Sequence, residues 1–127
     1  MHVMTSKSRV CIIPGDGAAP EAMLASLRVL DALALPIECD AVPPGSELLD
    51  LSIAEREALI RERVDNADTA LFGSSDGTTP GAQYLRWGKL TFANVRPIRW
   101  RPGFHSPLQD PTEIDYVIIR ENLEDMY

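Results

Sequence analysis

The apolar and polar positions of the chain lay out strands and helices in alternation. "RVCII" at 9–13 is a short β-branched run closed by "PGDG", which predicts a buried strand and a tight turn. In "APEAMLASLRVLDAL", Met23, Leu27 and Leu30, with the neighbouring Leu24, recur at helical spacing. Pro20 and Glu21 stand in the first turn, where a helix accepts both. "PIECDAV" reads as a second strand and "PPGSELLD" as a loop. "SIAEREALIRERVDNA" opens with Ser52 and Glu55 at capping-box spacing and puts Ile53, Ile60 and Val64 on one face, so it reads as a helix. "TALF" at 69–72 is a third strand, "GSSDGTTPG" is loop by composition, an extended stretch surrounds "ANVRPIRW", and "DYVII" at 115–119 is the last strand.

This order predicts an α/β fold, a mostly parallel sheet with flanking helices, as a single unit over residues 1–127. Ligands of such sheets collect at the carboxyl ends of the strands, which directs attention to "PGDG", "GSSDGTTPG" and "RENLEDMY". A chain of 127 residues, 45% hydrophobic, is long enough for one core. Such a domain buries roughly two-thirds of its unfolded surface.

Charge narrows the partners. A net charge of −7 argues against nucleic acid, whose phosphates call for a basic face. The charge is uneven: residues 1–79 hold 6 Lys/Arg against 13 Asp/Glu, and residues 80–127 hold 6 of each. No acid lies between Asp76 and Asp110, and Arg86, Lys89, Arg96, Arg99 and Arg101 fall in that gap. A cationic strip on an acidic chain suits a small anionic ligand. Cys11 and Cys39 lack metal or redox spacing and read as small core hydrophobes in a reducing compartment. The opening "MHVMTSKS" has no apolar leader and no stretch approaches a membrane span, so a cytoplasmic location without a membrane partner is expected.

"GDGAAP" lies between a strand and a helix, as a dinucleotide-binding loop does. That fingerprint needs a third glycine, however, and Pro20 stands in its place. A plain strand-to-helix turn is the commoner source of such a stretch. Arg86 and Arg96 stand ten apart in "LRWGKLTFANVRP", and Arg120 follows the last apolar run. Surface arginines are usually just solvated. Yet Arg120 sits at the carboxyl end of a strand, and Arg96 lies between Val95 and Pro97, too apolar a setting for a simple loop. Three guanidiniums converging on one pocket suit a di- or tricarboxylate, since each holds a carboxylate through two parallel hydrogen bonds. Tyr127 reads first as a packing residue; beside arginines its phenol can also relay a proton.

Taken together, these stretches resemble the β-decarboxylating dehydrogenase family of isocitrate, 3-isopropylmalate, tartrate/D-malate and homoisocitrate dehydrogenases. "IIPGDGAAPE", "LRWGKLTFANVRP", "SPL" and "IIRENLEDMY" are similar to four family motifs, occur in the family's order and span nearly the whole chain. The resemblance implies an isopropylmalate-dehydrogenase-like fold, incomplete here. It also implies a reaction: NAD or NADP takes a hydride from a 2-hydroxy acid, and Mg²⁺ or Mn²⁺ polarises the new carbonyl so that the neighbouring carboxylate leaves. It assigns Arg86, Arg96 and Arg120 to the substrate carboxylates, Tyr127 to protonation of the carbon left behind, and Thr78 and Thr79, in the loop near the nicotinamide, to the cofactor. "TTP" is similar to the isocitrate branch.

The departures are Ala19 for a loop glycine, Leu123 for a Thr or Ser, and a "TPGAQY" segment that matches neither the isocitrate nor the isopropylmalate pattern. Family chains are more than twice as long, and the catalytic lysine and the metal-binding aspartates lie in the part not represented here. No metal ligand is therefore assigned. The expectation is the N-terminal part of a metal-assisted oxidative decarboxylase, inactive alone and needing a second half; the expected partners are a small carboxylate ligand and either further copies of the chain, which would not by themselves complete the site, or a complementary C-terminal half. The alternative is a non-catalytic, truncated family member that binds a carboxylate metabolite or a protein partner.

Overall fold

The structure is a computed structural model that describes residues 7–43, 48, 50–75 and 81–124. Its contacts gather into two compact units, Met1–Tyr84 and Leu85–Tyr127, each considered by itself below. The reading of residues 1–127 as one α/β unit stands as an expectation beside that division.

In the first unit, β1 (Ser8–Ile13) leads into α1 (Ala19–Ala32), β2 (Ile37–Ala41), α2 (Ile53–Asp65) and β3 (Thr69–Phe72). The strands pair in the order β2-β1-β3, both pairings parallel, with Val10 opposite Cys39 on one side and Thr69 on the other. This is the parallel sheet with flanking helices that the alternation predicts. A central parallel strand is covered on both faces, and β1 carries the unbroken apolar run this demands. Cys11, Ile12 and Ile13 are almost fully buried. Val10 and Ile12 pack with Met23 and Leu27 of α1. Alternation turns Ile13 the other way, where its side chain and that of Ile60 of α2 meet at Gly81. Burying each of the large side chains contributes about 1.5–3 kcal/mol.

The Ser52–Glu55 capping box forms: the Ser52 hydroxyl accepts from the Glu55 N–H, and the Glu55 carboxylate accepts from the Ser52 N–H at 2.8 Å. Of the face predicted for α2, Ile60 and Val64 are buried, whereas Ile53 is 73% exposed. Ile53 is the first helical residue, and a side chain there projects from the helix end rather than over the sheet. Cys11 is a core thiol whose pKa is raised, chiefly by burial and then by Asp40. Cys39 departs from expectation: it is exposed, because β2 is an edge strand.

In the second unit, β4 (Ala93–Arg99) and β5 (Asp115–Glu121) pair with each other, antiparallel, rather than extending the parallel sheet. The Trp100 N–H donates to the Ile114 carbonyl, which makes 98/116, 96/118 and 94/120 the hydrogen-bonded pairs by two-residue alternation. Pro97, opposite Val117, then falls in a non-hydrogen-bonded pair, where its missing N–H costs the ladder nothing. No helix among the described residues is long and apolar enough to cross a membrane.

Candidate functional site

Arg96 and Arg120 owe their placement to the ribbon register. Arg96 is opposite Ile118 and Asn94 is opposite Arg120, so Asn94, Arg96 and Arg120 project from one face. Arg96 and Arg120 are diagonal neighbours, a relation that puts side-chain origins about 7–8 Å apart. Both arginines are exposed.

Arg86 reaches the same end of the ribbon by another route. It lies in a π-helical turn, Tyr84–Gly88, where its guanidinium stacks over Trp87 at 5.3 Å from the ring centre. From there it donates to the Asn122 side-chain oxygen at 3.1 Å, just past the end of β5. Asn122 in turn donates to the Thr91 carbonyl at 3.5 Å, and the Thr91 N–H donates to the Arg86 carbonyl at 3.1 Å. Arg96 and Arg120 thus share one face of the ribbon, and Arg86 is tied to Asn122, two residues past Arg120.

The turn after β5 is held by its own acid. The Glu121 carboxylate accepts from the backbone N–H groups of Leu123 and Glu124, at 2.7 and 2.8 Å. Those two bonds are the largest causes that lower its pKa below the usual carboxylate value, and Arg86 adds a smaller pull. A hollow of about 570 Å³ opens at the far end of the ribbon, between residues 99–102 and 112–115. It contains none of the three arginines, and Arg99 is ion-paired with Asp115 at its edge.

At the carboxyl ends of β1 and β3, the "PGDG" and "GSS" loops touch. The Asp16 N–H donates to the Ser74 carbonyl at 2.8 Å, and the Ser75 hydroxyl donates to the Asp16 carboxylate at 2.9 Å. Gly15, at φ +85°, and Gly73 make this approach possible. Ala19, where the family motif has glycine, adopts ordinary helical backbone as the first residue of α1. Its methyl lies beside the two glycines, which leave it room.

Thr78 and Thr79, the expected cofactor contacts, and Tyr127, the expected proton donor, lie outside the described residues. No group of three or more His, Cys, Asp or Glu able to hold a metal ion occurs among the described residues. The contributions of Asn94 and Asn122 were not legible as such: both lie inside the motifs, but an amide in a motif carries no sign of what it touches. The signal available was position, Asn122 next but one to Arg120 and Asn94 two before Arg96.

The family model for isocitrate/isopropylmalate dehydrogenase matches residues 9–127. The chain belongs to that family. Among isocitrate/isopropylmalate dehydrogenases, a Methanocaldococcus jannaschii protein named 3-isopropylmalate/3-methylmalate dehydrogenase is 35% identical over 123 residues, covering 94% of this chain and 35% of its own. A Thermus thermophilus protein named NADP isocitrate dehydrogenase is 32% identical over 136 residues, covering all of this chain and 27% of its own. A crystal structure of a Thermus thermophilus protein superposes with a TM-score of 0.72 at 31% identity, over 98% of this chain and 26% of that one. The chain therefore spans about a third or less of the length of these dehydrogenases.

Proposed function

We propose that this chain contributes the carboxylate-gripping part of an NAD(P)-dependent, metal-assisted oxidative decarboxylase of a 2-hydroxy di- or tricarboxylic acid. On this reading it is inactive alone and is completed by a second half. The observation that carries the proposal is that Arg96 and Arg120 share one face of the β4–β5 ribbon and Arg86 donates to Asn122 just past its end, on a chain whose charge is otherwise strongly acidic. A guanidinium can hold a carboxylate through two parallel bonds, which orients the substrate as well as binding it.

The described residues do not fit a metal ion, so the metal ligands are assigned to the second half and no step is derived through them here. NAD(P) would accept the hydride. This chain's proposed share of the cofactor contacts is Thr78 and Thr79, and its proposed proton donor is Tyr127. Small carboxylates are the proposed ligands. The proposed macromolecular partner is a polypeptide carrying the region of the relatives that lies outside the part matched here.

The test is reconstitution. The chain is co-expressed with the downstream two-thirds of the Methanocaldococcus jannaschii relative, and NAD(P)H is followed with isocitrate, 3-isopropylmalate and related acids. The expected result is a complex whose turnover requires both polypeptides. Arg96→Ala or Arg120→Ala should lower kcat/KM by on the order of a hundredfold, the loss of a charge-assisted bidentate contact. Neither a complex nor NAD(P)H with any of these acids would overturn the proposal. A complex that binds citrate without turnover would favour the non-catalytic alternative.

A further inference from the structure

We propose that the hollow at the far end of the β4–β5 ribbon is a site for a small zwitterion, an α-amino acid with an apolar side chain, held between Arg101 and Glu113 and seated on Trp100; this goes beyond the carboxylate reading above and does not rest on it. The ribbon register accounts for the hollow. Arg99 is opposite Asp115, and the two form an ion pair at 3.3 Å. Continued by two residues, the same register would set Arg101 opposite Glu113, a second cross-strand pair of opposite charge. That pair does not form, because both strands turn away first. The Trp100 N–H still donates to the Ile114 carbonyl at 3.0 Å, but the Ile114 N–H donates to the Pro111 carbonyl at 3.1 Å instead of returning the bond. On the other strand the Phe104 N–H donates to the Arg101 carbonyl at 3.2 Å around Pro102 and Gly103, whose φ of +92° fits the second central place of a type II turn. The hollow of about 570 Å³ occupies the space between these turns, and Arg101 and Glu113 both line it.

The neighbouring charges are already matched. Arg99 and Asp115 satisfy each other, and the Asp110 carboxylate accepts from the Thr112 N–H and hydroxyl at 3.1 and 2.6 Å. The Arg101 guanidinium and the Glu113 carboxylate have no hydrogen-bond or ion-pair partner among the described residues. One cation and one anion lining the same hollow suit a ligand that carries both charges. A plain anion would meet Glu113 as well as Arg101, and a plain cation would meet the reverse. The half-buried Trp100 ring is held by its indole N–H, which donates to the Phe104 carbonyl at 3.1 Å. With that donor occupied, the indole offers apolar contact, which calls for an apolar side chain on the ligand. In an α-amino acid the ammonium, carboxylate and side chain diverge from one carbon, so Glu113, Arg101 and Trp100 each take one. The volume lies within the range of small-molecule sites, roughly 300–1,000 Å³.

The experiment uses the intact chain, labelled for NMR, and follows its two tryptophan indole N–H signals, assigned with Trp87→Phe. The probes are L-phenylalanine, N-acetyl-L-phenylalanine and L-phenylalaninamide, the last two lacking the ammonium and the carboxylate charge. We expect L-phenylalanine to shift the Trp100 signal saturably and each masked form to bind about tenfold more weakly, the worth of one hydrogen bond to a charged group. Arg101→Gln should weaken L-phenylalanine to the level of the amide and remove the preference between those two. Glu113→Gln should do the same against the N-acetyl form.

That crossed pattern assigns each charge of the ligand to one residue. No saturable shift of Trp100 with L-phenylalanine overturns the proposal. Equal affinity for all three probes overturns it as well, since contact with the indole alone would produce that, and tighter binding of either masked form would mark a site for a plain anion or cation. A preference that survives in both variants places the ligand elsewhere and has the same force. The wild-type chain discriminates among the probes without any substitution, so a variant that does not fold leaves the test standing.

Discussion

Gly15 and Gly73 are positions where one added methyl group would meet backbone. A Cβ at Gly15 would lie 2.3 Å from the Ser74 carbonyl oxygen, and one at Gly73 would lie 2.0 Å from that of Pro14. Neither obstacle can rotate away, because both carbonyls belong to the loops that bring Asp16 and Ser75 together. Gly17 makes the contrast. It also has positive φ, +60°, but nothing lies within 4 Å of its would-be Cβ. Gly17→Ala should therefore cost only the left-handed penalty of about 1 kcal/mol. Gly15→Ala carries the same penalty plus the clash and should cost about 2 kcal/mol or more, read as the difference in urea unfolding free energy. Equal losses would mean that the two loops do not approach this closely. The sequence made the glycines visible as turn residues but not the Ser74 carbonyl, which is 59 residues from Gly15 in the chain.

Elements fared better where their signal is local. The α2 cap is written in four consecutive residues, and both of its reciprocal bonds form as predicted from Ser52 and Glu55. The β1 run is equally self-contained, since a strand covered on both faces must be apolar throughout. What the pattern did not convey was pairing: "ANVRPIRW" and "DYVII" read as strands, but partner and direction depend on register. The exposure of Ile53 was hidden for a related reason, because helical spacing identifies a face without saying where the covering sheet stops.

The cap yields a prediction with a sign. Ser52 supplies the two largest causes that lower the Glu55 pKa below its ordinary 4.5. A depressed carboxylate contributes stability that is present above the ordinary value and is lost as pH falls through the lowered folded value. Ser52→Ala should destabilise the chain by on the order of 1 kcal/mol near neutrality. It should also flatten the part of the acid-induced fall in melting temperature that begins near pH 4.5. An unchanged acid profile would show that the box does not couple to folding.

For the whole molecule, what matters is the ribbon face opposite the arginines. Val95 opposite Ile119 and Pro97 opposite Val117 are non-hydrogen-bonded pairs, the closer kind, and they share that face. Val95, Val117 and Ile119 are nonetheless 59%, 55% and 70% exposed. Soluble monomers seldom leave β-branched side chains clustered in water, and the dehydrogenases that this chain matches are about three times as long. We expect this face to be covered by the second half proposed above. Ile119→Lys places a charge at its centre and leaves the arginine side of the ribbon untouched. It should lower self-association of the isolated chain in sedimentation velocity and prevent assembly with the downstream two-thirds of a relative. Arg96→Ala, on the other face, should assemble normally and show only the loss in kcat/KM, on the order of a hundredfold, expected above. If Ile119→Lys assembled as well as wild type, the cover would have to lie elsewhere, and the apolar face would have to be stable in water with a lysine at its centre or without one.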